Sequence, residues 1–182
     1  MKRKLLAIVA ADMVGFSRLI EDDEITILSR QKVIFNKIIK PEIKKFNGEI
    51  IKTTGDGFLA KFDSSLDAVE SSFQIQKRVN LLEEKFSSDK RIWYRFGINV
   101  GDVVLDEGDV FGNCVNIASR LETISDAGAI CITGDIFQNI KNLKSYNYKH
   151  LGNQRLKNIS QLINVYKIIV DDKILDIENP KS

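Results

Sequence analysis

The chain has 182 residues, of which 43% are hydrophobic and 29% charged, with a formal net charge of +2. That length suits one domain that buries its core without disulfides or a structural metal, and the composition is that of an ordinary globular protein. Charge so near balance, with no dense run of Lys and Arg, argues against nucleic acid as the partner, and two cysteines without metal-ligand spacing plus one histidine argue against a zinc site or a Cys-His pair.

The N-terminal "MKRKLLAIVAAD" has a basic start and an apolar run that stops at Asp12, too short for a membrane span. Leu5 to Ala11 therefore reads as a strand buried on both faces, and the protein as cytoplasmic with no membrane segment. A helix is expected from about Glu24 to Phe46, with Leu28, Phe35, Ile39, Ile43 and Phe46 near one face, a kink or split at Pro41, and an end at Asn47-Gly48. "EIIKTTGDGFLAKF" alternates apolar and polar residues on both sides of Gly-Asp-Gly, a β-hairpin with Asp56 at its tip. The next helix starts at Ser64, with Asp67 as capping-box acid and Ala68, Ser72, Ile75, Val79 and Leu82 on one face.

"RIWYRFGINVGDVVLD" places Ile92, Tyr94, Phe96, Ile98 and Val100 on the buried side of a strand. Gly101-Asp102 is expected to bend it into a second short strand before a "DEGD" turn. A helix from about Asn113 to Ile124, the buried strand "GAICITG", a short helix, and strands around Tyr146 to Leu151 and Ile163 to Ile169 complete residues 1–170; the tail 171–182 reads as a loosely held end. The order strand-helix-hairpin-helix-strand is an α+β, ferredoxin-like βαββαβ core with additional C-terminal strands and helices.

In such a sheet the end of the first strand lies beside the hairpin tip, so Asp12 and Asp56 can share one site. Alone, Asp12 is accounted for as a helix N-cap and Asp56 as a turn former. Two close carboxylates call for a neutralising charge, and divalent ions bridging phosphate oxygens supply one. "MVGFS" is a small loop entering a helix, and the free amides at Phe16 and Ser17 can face a polyphosphate. In "GDVFGNCVNIASRLE", Cys114, Ala118 and Leu121 form an apolar face while Asn116 and Arg120 lie one turn apart on another. Arg can neutralise a transferring phosphoryl group and Asn can orient a ribose, although a solvated polar face accounts for either alone.

In this order and spacing, "AADMVGFSRL", "KTTGDGFLAKF" and "GDVFGNCVNIASRLE" resemble the catalytic domain of the class III nucleotidyl cyclases, the adenylate and guanylate cyclases, from about Leu5 to Ile169. The resemblance implies that fold, with Asp12 and Asp56 holding two Mg²⁺ or Mn²⁺ ions and Asn116 and Arg120 orienting the ribose and stabilising the transition state. It also implies that Lys157, in "RLKN", contacts phosphates, and that Lys52 and Asp109 select the base. A lysine donates to N1 of adenine and an aspartate accepts from its 6-amino group; guanine reverses that edge and leaves both groups unpaired. Guanylate cyclases of the family typically carry Glu and Cys there. The expected activity is thus conversion of ATP to 3′,5′-cyclic AMP and pyrophosphate by a homodimer with shared sites, the hairpin giving Asp56 to one site and Lys52 to the other. The alternatives are a cyclase of GTP or a pyrimidine nucleotide, or a non-catalytic nucleotide-sensing homologue. A diguanylate cyclase lacks its Gly-Gly-acidic-Glu-Phe signature here, and an RNA-binding domain its aromatic motif.

Overall fold

Leu6, Ile8 and Ala10 point to one side of the first strand and Ala7, Val9, Ala11 and Met13 to the other, and all seven are buried. In the computed structural model, which describes residues 1–170, this strand, β1 (Lys2–Met13), is central. It is longer at both ends than its apolar run. The tail 171–182 lies outside the described residues.

The chain continues through α1 (Phe16–Ile34), a π-helical turn (Phe35–Ile39), α2 (Lys40–Lys45), the hairpin β2 (Glu49–Thr53) and β3 (Gly57–Phe62), α3 (Ser65–Glu83), β4 (Tyr94–Asp106) and β5 (Asp109–Phe111). Then come α4 (Asn113–Ile124), β6 (Ile130–Thr133), α5 (Gly134–Ile140), β7 (Asn147–Gln154) and β8 (Ile163–Ile169). The sheet order is β2-β3-β1-β4-β6-β8-β7, with β5 hydrogen-bonded to β4. Each neighbouring pair among its first four strands is antiparallel, the ferredoxin-like core, and β6 adds to β4 in parallel. The residues of α1, α2, α3 and α5 that enter the main core pack on one face of the sheet, and α4 on the other.

Two expectations need correction and one is met. The first helix begins at Phe16 rather than Glu24, but its backbone leaves helical geometry at Asp23, whose carboxylate accepts from Thr26 N at 3.3 Å and so caps the segment expected. The split expected near Pro41 is present: a π-helical turn (Phe35–Ile39) separates α1 from α2 just before it. A proline cannot donate to the carbonyl four residues before it; that carbonyl, of Lys37, accepts from Arg78 Nη2 at 3.2 Å, just beside the π-helical turn. Gly101-Asp102 does not bend the chain, because β1 pairs along β4 as far as Lys2 opposite Leu105. The reversal is left to the expected "DEGD" turn, where Glu107 and Gly108 both take positive φ (48° and 79°), the backbone of a two-residue hairpin loop.

Ser64 caps α3 by accepting from Asp67 N at 3.2 Å. Leu28 and Leu82, expected on apolar faces, are exposed. Beyond Val79 it is Glu83 that is buried: it accepts from Ile92 N at 2.8 Å and pairs with Arg30. Cys114 and Cys131 are free thiols in the core, and no helix among the described residues is long and apolar enough to cross a membrane.

Candidate active site

Antiparallel pairing sets Asp12, at the end of β1, opposite Gly57, the first residue of β3, so Asp56 is the next residue along from Asp12's partner. Met13 N donates to Asp56 O at 2.9 Å and fixes the tip against β1. Gln31 Nε2, from α1, donates to Gly55 O at 2.9 Å and ties the same tip from the helix side. The two carboxylates expected to meet are therefore neighbours. Partial burial, followed by the charge of Asp12, raises the pKa of Asp56.

A cation already stands on Asp12. Arg95, from β4 directly opposite, donates through Nε to Oδ1 at 3.0 Å and through Nη2 to Oδ2 at 3.2 Å. Its Nη1 donates to Thr123 O at the end of α4 at 3.1 Å. Burial opposes the guanidinium charge, but the hydrogen bonds and charge of Asp12, with that of Glu122, outweigh it. Glu122, buried on α4, brings Oε1 to 3.0 Å from the same Nε. Burial, then its hydrogen bond to Asp12 and the Asp12 charge, pushes its carboxyl well above the ordinary carboxylate range. Gly97 permits this approach, since a Cβ there would fall 2.3 Å from Ala118 O and 2.4 Å from Glu122 N.

Arg95, Gly97 and Glu122 escaped the sequence reading. The signals were an arginine between buried Tyr94 and Phe96, and an acid four residues beyond Ala118 on an apolar helix face.

Lys52 and Asp109 also meet. The β4–β5 hairpin curls over the face that carries α4, where Val110 packs with Leu59, and Lys52 Nζ lies 3.2 and 3.4 Å from the two Asp109 oxygens. Asp109 accepts from Val110 N at 2.8 Å; that bond, then Lys52, lowers its pKa. A donor and an acceptor thus stand side by side at a partly exposed rim.

Asn116 is exposed and Arg120 half-buried on α4. At roughly 100° per residue, Arg120 points about 160° away from Glu122, which faces the sheet and Asp12. The fold of one chain therefore aims Asn116 and Arg120 away from the carboxylate pair. Lys157 lies exposed in the turn between β7 and β8, where Asn158 takes a positive φ of 62°. On either side of it Leu156 and Ile159 are buried against Ile117 and Leu121 of α4, fixing the turn beside that helix. Phe16 and Ser17 form the first turn of α1 after Gly15 (φ 64°), where helical amides have no intrahelical acceptor.

The donor set fits a divalent cation: hard carboxylate oxygens from two adjoining strand ends, with a guanidinium already holding positive charge against one of them. No group of three or more His, Cys, Asp and Glu side chains among the described residues could by itself hold an ion. Water, backbone or phosphate oxygens would have to complete the coordination.

Residues 2–169 match the family described as the adenylate and guanylate cyclase catalytic domain. The chain is 32% identical over 165 residues to putative adenylate cyclase 3 of Rhizobium meliloti (strain 1021), covering 91% of this chain and 28% of that protein. It is 34% identical over 128 residues to an adenylate cyclase of Streptomyces coelicolor, covering 70% of this chain and 32% of that one. The chain thus spans about a third or less of the length of these relatives. Among solved structures, the adenylate/guanylate cyclase/hydrolase from Silicibacter pomeroyi superposes with a TM-score of 0.86 at 44% identity, covering 93% of this chain and 98% of that one. The adenylyl cyclase CyaB from P. aeruginosa superposes with a TM-score of 0.81 at 25% identity, over 92% of this chain and 95% of that one.

Proposed function

Because the chain belongs to the adenylate and guanylate cyclase catalytic-domain family, we propose that it is an adenylate cyclase that converts ATP to 3′,5′-cyclic AMP and pyrophosphate. The observation that carries the choice of ATP is the ion pair between Lys52 and Asp109, 3.2 Å apart. Those two groups offer a donor and an acceptor in the order that the adenine edge requires. Guanine would meet donor with donor and acceptor with acceptor, which costs a buried site heavily.

Asp12 and Asp56 would hold two Mg²⁺ or Mn²⁺ ions, which when bound supply charge neutralisation for the polyphosphate and activation of the ribose 3′-hydroxyl. Asn116 orients the ribose, Arg120 neutralises charge developing on the α-phosphoryl group, and Lys157 draws on the phosphates. The first-turn amides of Phe16 and Ser17 face the same phosphates.

The outward aim of Asn116 and Arg120, away from the carboxylate pair, supports a homodimer. Each site then takes Asp12 and Asp56 from one copy and Lys52, Asp109, Asn116, Arg120 and Lys157 from the other, with twofold symmetry giving two such sites. Incubating the purified chain with ATP, GTP, CTP and UTP separately, with Mn²⁺ or Mg²⁺, and identifying cyclic products by mass tests the reading. Cyclic AMP from ATP is expected. Cyclic GMP alone would overturn the base argument, and no product from any nucleotide would overturn the enzyme reading for this chain.

A further inference from the structure

Arg95 Nε lies 3.0 Å from Asp12 Oδ1 and 3.0 Å from Glu122 Oε1, and a single N–H can serve only one of them. It serves Asp12. Glu122 Oε1 is buried and accepts no hydrogen bond from any described residue, although the Glu122 carboxyl lies within hydrogen-bonding reach of Asp12. A buried acceptor without a donor is costly, and this one adjoins an N–H that is engaged elsewhere. The anchor for a change of partner is also present: Nη1 is held by Thr123 O at 3.1 Å, one residue beyond Glu122. Turning Nε from one oxygen to the other needs side-chain rotation only.

We propose that Arg95 has two stations, Asp12 in the metal-free protein and Glu122 once a divalent cation takes the Asp12 oxygens, and that Glu122 is the positioning residue which frees Asp12 for the cation. This rests on Asp12 being a metal ligand. Cation and guanidinium compete for the same two oxygens. Without a second station, the ion would have to leave Arg95 half-buried and unpaired beside it, which is the costly outcome for a desolvated charge. With Glu122 alongside, the guanidinium exchanges one acceptor for another, and the Glu122 oxygen can accept that N–H whether or not its carboxyl carries a proton. The close packing of Gly97 under α4 keeps Glu122 at this range.

The test uses the full chain with Mn²⁺ or Mg²⁺ alone, without nucleotide. Mn²⁺ binding is followed by electron paramagnetic resonance, and the Arg95 Nε–H signal by ¹⁵N NMR, assigned by its absence in Arg95→Lys. Three results are expected. Mg²⁺ moves the Arg95 signal in the wild type; Glu122→Leu, which removes the acceptor oxygen, weakens Mn²⁺ binding about tenfold and abolishes the move; Glu122→Leu changes Mn²⁺ affinity less than twofold when Arg95 is already Met. An equal loss in both backgrounds would mean that Glu122 acts on the ion directly, and would overturn the two-station inference. So would an unchanged affinity in Glu122→Leu, or an Arg95 signal that ignores Mg²⁺ while Asp12→Asn still abolishes Mn²⁺ binding. Mn²⁺ binding that survives Asp12→Asn overturns the metal reading itself, and with it this inference. Should Arg95→Met not fold, the NMR comparison of wild type with Glu122→Leu decides alone.

Discussion

Gly57 stands directly opposite Asp12 across β3 and β1, and nothing larger than hydrogen fits there: a Cβ would lie 1.9 Å from Ala11 O and 2.8 Å from Asp12 Cα. The second glycine of Gly-Asp-Gly thus serves the approach of strand to strand at the carboxylate pair. Gly55, the first, has nothing within 4 Å of its Cβ position. Gly57→Ala is expected to destabilise the fold by about 1–3 kcal/mol, because the clash is with backbone that no rotamer relieves. Gly55→Ala is expected to be close to neutral. Urea titrations of the two variants check the contrast, and equal midpoints would contradict it.

If the Lys52–Asp109 pair reads the base as proposed, base choice is reversible. Lys52→Glu combined with Asp109→Cys is expected to turn the preference from ATP toward GTP, by inverting donor and acceptor at the rim. Either change alone is expected to lower kcat/KM for ATP by about a hundredfold or more, since a polar group is left unpaired against the base. Initial rates with ATP and GTP on the same preparations measure this, and a double variant that still prefers ATP would contradict the assignment.

The proposed shared site has a quantitative signature. Asp56→Asn and Asn116→Ala are each expected to be inactive. Mixed in equal amounts and allowed to exchange subunits, they should recover about a quarter of wild-type activity, because half the dimers are mixed and each has one intact site of two. Mass spectrometry of the exchanged dimers reports the mixing independently, and no recovery after exchange would rule out sites shared between copies.

Gln31 holds the hairpin tip through one exposed hydrogen bond to Gly55 O at 2.9 Å. Gln31→Ala should cost under about 1 kcal/mol of stability, the ordinary net worth of such a bond. It should raise the metal concentration needed for half-maximal rate severalfold while leaving the rate at saturating metal near wild type, because Asp56 follows Gly55. A fall in saturated rate with no change in metal requirement would count against this positioning role.

Burial pushes the Cys114 thiol up to about 12 and the Cys131 thiol up to about 11. An unfolded chain releases these protons near pH ~8.5. Between that value and the folded values the native state binds more protons than the unfolded one, so stability is full below about pH 8.5 and declines as pH rises toward 11 and 12. Chemical denaturation from pH 7 to 10 should show the decline, weakened in Cys114→Ala/Cys131→Ala. Thiol reagents at pH 8 should label the native protein far more slowly than the unfolded one.

The α+β core was legible in the sequence because its signals are local. Two-sided burial of β1 shows as an apolar run, the β2–β3 hairpin as alternation around Gly-Asp-Gly, and α4 as an apolar stripe through Cys114, Ala118 and Leu121. The adjacency of Asp12 and Asp56 followed from the order of those elements. Boundaries failed where a distant group intervened, as when β1 holds β4 straight past Gly101-Asp102. Arg95 and Glu122 lie 27 residues apart, and neither has a spacing that marks a role, although Glu122 closes "GDVFGNCVNIASRLE", yet both reach Asp12. What the sequence by itself determined was which residues are apolar, where turns fall, and hence which strands adjoin. Only the tertiary structure decided which charge neutralises which, because an ion pair acts over about 3–4 Å of space and leaves no periodic trace along the chain.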